Sequence, residues 1–129
     1  MTDPAAFLAS RLVEAERTAL DASTANGREW TFYRGPIDNA LITGDLDGPF
    51  SCVVAFDEGA PSEPQAAHIA DNDPAHVLRL IAAHRGILAK LAEEEKAAPE
   101  PVWGDLVVGT LRSVVRNIAW AYGWTEEQT

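Results

Sequence analysis

A single cysteine in a chain of 129 residues rules out an intramolecular disulfide, as fits a reducing compartment. That residue, Cys52, lies in the apolar run FSCVVAF. Nothing adjacent lowers a thiol pKa there, so it reads as a small buried hydrophobe rather than a nucleophile. Basic residues are scarce: 10 Lys and Arg against 20 Asp and Glu leave a formal net charge of -10. The balance argues against binding nucleic acid or an anionic membrane, both of which reward clustered cations. No apolar run approaches the ~20 residues that span a bilayer. The opening MTDPAAFLASRL is acidic, without the basic and apolar segments of a secretory signal, and a cytoplasmic protein is expected. G-x-S-x-G, a Walker lysine, a dinucleotide fingerprint and a cysteine pair are all missing, which removes the best-marked nucleophilic, phosphate-binding and thiol chemistries.

What is present has the size of one compact domain, residues 1–129, with 47% hydrophobic residues to build a core. Asp3 before Pro4 starts a helix to about Ala22, with Leu8, Leu12, Ala15 and Ala19 on its apolar stripe and Arg11, Glu14 and Arg17 outside it. Asn26 and Gly27 mark its end, since both tolerate left-handed backbone. EWTFYR, ALITGDL and FSCVVAF then read as strands, the last two joined through Asp47 and Gly48. Two helix starts follow. Ser62 with Gln65 forms a capping box, and Asp73 before Pro74 is an N-cap with proline at the first helical position. The short helix runs to about Ala70, the long one fades near Lys96, and a last helix spans Asp105 to Tyr122 with Val107, Leu111, Val114, Val115 and Ile118 on one stripe. The fold class expected is α+β: a small three-stranded antiparallel meander packed against three to four helices.

Within Asp57 to Leu88 the segments DEG, PS, QAAHIA, DPA and VLR occur in order. Together with the opening FLASRLVEAERTA and Trp30, they resemble a family of short uncharacterised proteins, a domain of unknown function found in actinobacteria and their phages. Members commonly carry an aromatic motif with a His-Pro-Asp-Tyr core near the C-terminus, where this chain reads IAWAYGWTEEQT. The resemblance implies a shared fold and no mechanism.

Three histidines are the first candidates for chemistry: His68, His76 and His84. Ligand pairs on one helix sit four apart so that both imidazoles share a face; His76 and His84 are eight apart. His84 falls in the stripe of Val77, Leu80, Ile81, Leu88 and Leu91 and is expected to be a core histidine bonded to backbone. His68 and His76 flank the DNDP junction, and with Asp73 form a candidate polar site there. Asp45, Asp47, Asp57 and Glu58 are better explained as turn residues than as a cation cluster. From Pro74 to Ala92 acids are absent while Arg79, Arg85 and Lys90 are present, a basic strip on an acidic chain.

The C-terminal aromatics form the candidate partner-contacting set: Trp120, Arg116 and Trp124. Trp120 lies off the last helix's apolar stripe, four residues from each of the other two, and exposed tryptophan beside arginine is typical of contact hot spots. The alternative is that Trp120 stacks under Arg116 and packs away. The function read from these features is a non-enzymatic accessory protein that binds a protein partner or itself, with no cofactor, nucleic acid or membrane. Two alternatives stand beside it: an acidic nucleic-acid mimic that inhibits a DNA-binding protein, and a metal-dependent enzyme using the histidines.

Overall fold

The computed structural model describes residues 2–34, 40–44, 53–55, 62–97 and 103–127. Cys52, Asp45, Asp47, Asp57, Glu58 and the Asp47-Gly48 turn lie outside them. In order, the elements are α1 (Pro4–Asn26), β1 (Trp30–Arg34), β2 (Ala40–Gly44), β3 (Val53–Ala55), α2 (Glu63–Asp71), α3 (Pro74–Lys96) and α4 (Trp103–Ala121). β1 pairs antiparallel with β2, from Trp30 opposite Gly44 to Arg34 opposite Ala40. β2 pairs antiparallel with β3, with a register shift between Ile42 and Thr43.

These elements correct the α+β assignment. The protein is mostly helical: its helices contain 23, 9, 23 and 19 residues, against strands of 5, 5 and 3. Among the described residues, the short α2 packs on β1 and β2. The alternating patterns marked strands correctly as local elements but overstated their share of the architecture. A strand adds about 3.3 Å per residue and a three-residue strand offers little face to cover.

Two compact units are distinguished, one of residues 1–14 with 81–129 and one of residues 15–80. In the first, Leu8, Leu12, Ile81, Leu91, Val115, Ala119 and Trp124 are buried, bringing together the apolar stripes of α1, α3 and α4. Asp3 starts α1 by accepting the Ala6 N–H at 3.0 Å. The helix runs four residues past the expected Ala22 and stops at Gly27, whose φ of +83° suits a residue without a β-carbon. On α3 the expected stripe holds at Ile81 and Leu91, but Leu80 is exposed. On α4 the buried positions are Val115 and Ala119, whereas Val107 and Val114 of the expected stripe face solvent.

In the second unit the capping box is complete. The Gln65 N–H donates to Ser62 Oγ at 3.4 Å and the Ser62 N–H to Gln65 Oε1 at 2.9 Å, satisfying two donors that the helix start would leave orphaned.

Candidate interaction site at the end of the fourth helix

The junction before α3 is built around Asp73, a buried side chain. Pro74 has no N–H to satisfy. The Ala75 N–H donates to the Arg28 carbonyl at 2.9 Å, the His76 N–H to Asp73 Oδ1 at 2.7 Å, and the Val77 N–H to the Asp73 carbonyl at 3.0 Å. Every donor of the first turn is thereby used. Asp73 Oδ2 accepts the Trp30 N–H at 2.9 Å, and the Trp30 indole N–H donates to the Gly27 carbonyl at 3.0 Å. The carboxylate thus caps a helix and fastens the start of β1 with separate oxygens.

His76 enters this network through its backbone and is half-buried. His68 is exposed, its Nδ1 3.4 Å from Asn72 Nδ2. The two histidines have different partners, and among the described residues no three of His, Cys, Asp and Glu are grouped so as to hold a metal ion. His84, expected in the core with a backbone partner, is half-buried, and its partner is a side chain: Nδ1 lies 3.0 Å from the Tyr122 hydroxyl, with the rings edge to face at 5.5 Å. Burial raises the Tyr122 pKa, because ionising the phenol there costs hydration. The unfolded chain then releases the phenolic proton first, so stability falls as pH climbs above the ordinary tyrosine value of ~10. Denaturant midpoints measured from pH 8 to 11 should show that decline and should flatten in Tyr122→Phe. In the basic strip, Lys90 lies 2.7 Å from Glu94 and 3.5 Å from Glu93. The hydrogen bond to Glu94, then the nearby charges, raise its pKa; acids from the following turn therefore answer this cation.

The last helix ends in a compact turn. The Gly123 N–H donates to the Trp120 carbonyl at 2.9 Å and the Trp124 N–H to the Ala119 carbonyl at 2.9 Å, with Gly123 at φ +96°. This is the paired pattern of a Schellman cap, in which the residue after the glycine folds back onto the last turn. Trp124 is buried as a result, and its indole N–H donates to the Thr2 carbonyl at 3.0 Å. The Arg116 guanidinium lies 5.5 Å from the Trp124 ring and pairs with Glu126.

The three aromatic-site residues therefore come together with unlike roles. Trp124 packs inside, Arg116 covers it, and Trp120 is 71% exposed. The expected alternative in which Arg116 stacks on Trp120 is replaced by stacking on Trp124. Arg116, Asn117, Trp120, Trp124, Glu126 and Glu127 line one cleft of about 630 Å³. Gly123 is the signal the sequence reading passed over: a glycine directly after a helix, followed by an apolar residue, marks a fold-back cap.

These features define a small, mostly helical protein whose polar junction is occupied by capping and whose aromatic end is open to solvent. The chain belongs to the Family of unknown function (DUF6221), whose model matches residues 1–123. No curated protein and no solved structure matches it. Among the described residues no helix is long and apolar enough to cross a membrane.

Proposed function

We propose that this chain is a non-enzymatic accessory protein that works by binding another protein, with Trp120 as the anchor. The observation that carries this reading is the exposure of Trp120, 71%, in a cleft whose floor is fixed by a buried Trp124 and a doubly engaged Arg116. A large aromatic held on a rigid helix loses little conformational freedom on binding and buries much area, which is why such residues dominate contact energies. Its setting in the cytoplasm of an actinobacterium or its phage is part of the proposal, supported by the lone cysteine and by the sequence resemblance.

The test begins with affinity capture from an actinobacterial lysate and identification of the bound protein by mass spectrometry. Trp120→Ala should then weaken binding of the purified partner by ~2 kcal/mol or more while leaving the melting temperature unchanged. Equal affinity in the variant sinks the reading. An acidic mimic of nucleic acid would behave differently, losing its partner steeply as salt rises.

A further inference from the structure

The apolar surface of α4 is wider than its unit covers. Val115 and Ala119 are buried, with Val108, Leu111 and Ile118 half-buried beside them. Trp103, Leu106, Val107 and Val114 are 68, 59, 41 and 37% exposed. With Thr110 they recur at three- and four-residue steps, so they form a second stripe along the same helix. A shallow cleft of about 400 Å³ runs beside Leu106, Gly109, Thr110 and Val114, and Asp105 and Ser113 also line it. Asn117 and Ala121 continue the stripe, whose own positions carry no ionisable residue, the nearest acid being Asp105 beside the cleft.

We propose that this stripe is the contact surface for a second copy of the chain, paired α4 against α4 in antiparallel sense about Thr110. Three considerations select this occupant. First, charge: two copies that each carry -10 repel one another, and the repulsion is least where the facing surfaces are uncharged. Second, shape: the stripe is bulky at its start, Trp103 and Leu106, and slim at its end, Val114 and Asn117. An antiparallel pair sets Leu106 against Val114 and Trp103 against Asn117, bulky against slim along its length. A parallel pair would set tryptophan against tryptophan and leave gaps at the other end. A two-fold contact of this kind uses the same patch twice and closes at a dimer. Third, area: the 19-residue helix is about 28 Å long. Its exposed apolar patch is on the order of 400 Å², the size that marks an interaction surface. With its polar flanks it approaches about 600 Å² per copy, the lower end of specific interfaces.

This surface meets the Trp120 cleft at Asn117, but its bulk, from Trp103 to Val114, lies apart from that cleft, so the two readings fail separately. Sedimentation equilibrium from 1 to 500 µM, at low and at 0.5 M salt, is the test. A doubling of mass with concentration is expected, stronger at high salt because the like charges are screened. Leu106→Glu should weaken the dimer at least tenfold with an unchanged circular dichroism melt, since the residue is exposed, whereas Trp120→Ala should leave it intact. In a Cys52→Ser background, Thr110→Cys should form a disulfide-linked dimer under mild oxidant, because the two-fold axis places that position against itself, while Ser23→Cys should not. A monomer at 500 µM, a dimer indifferent to Leu106→Glu, a dimer lost in Trp120→Ala, or no preference for cross-linking at position 110 overturns the proposal.

Discussion

Trp124→Ala destabilises the protein by about 3–5 kcal/mol, the cost of emptying a buried aromatic site. The residue is 6% exposed and does several things at once: it fills space among the stripes of its unit, supports the Arg116 guanidinium, and donates its indole N–H to Thr2. Trp124→Phe separates these parts. It keeps one ring and loses the donor and the second ring, so the hydrogen bond, about 1 kcal/mol net, part of the cation–π attraction and the packing of the lost ring should disappear while the rest remains. Urea denaturation of both variants gives the comparison. A loss below about 1 kcal/mol for Trp124→Ala would mean that the Schellman turn does not hold the indole in the interior.

Asp73→Ala should cost about 2–4 kcal/mol. Loss of an N-cap acceptor costs ~0.5–2 kcal/mol, and a partly buried amide left without a partner adds ~1–3. Here both losses occur together, because His76 and Trp30 donate to different oxygens of the one carboxylate. Hydrogen exchange distinguishes them: the Trp30 and His76 amides should both lose protection in the alanine variant. In Asp73→Asn, one side-chain oxygen remains, so one of the two amides should stay protected. Wild-type exchange at Trp30 in Asp73→Ala would show that the bond spanning 43 residues contributes nothing.

Local signals were legible and non-local ones were not. Asp3, the Ser62 and Gln65 box, and the Asp73-Pro74 start could be read because each cap is settled within a few residues of chain. The same Asp73 fastens Trp30, and no local pattern records that, since the partners meet only after folding. The fold class failed for a related reason: alternation identifies a strand without saying how much of the protein rests on it, and here the sheet packs on a nine-residue helix. On α4, apolar residues occupy more of the circumference than one contact can cover. Periodicity therefore located the stripe but could not choose the buried half, which proved to be Val115 and Ala119 rather than Val107 and Val114. Of the aromatic site, the off-stripe position of Trp120 was visible in the sequence. The stacking of Arg116 on Trp124 depends on Gly123 turning the chain, and so was not.

The bond from Trp124 to Thr2 joins residues 122 apart in sequence, which has a consequence for folding kinetics. Closing so long a loop sacrifices more chain entropy than forming any of the caps, and contacts of that separation form late, after the local turns have set. Stabilisation gained late acts on the rate of leaving the native state rather than on the rate of reaching it. Trp124 thus serves as a clasp on the finished unit: it lengthens the lifetime of a fold whose assembly is directed by the caps of α1, α2 and α3.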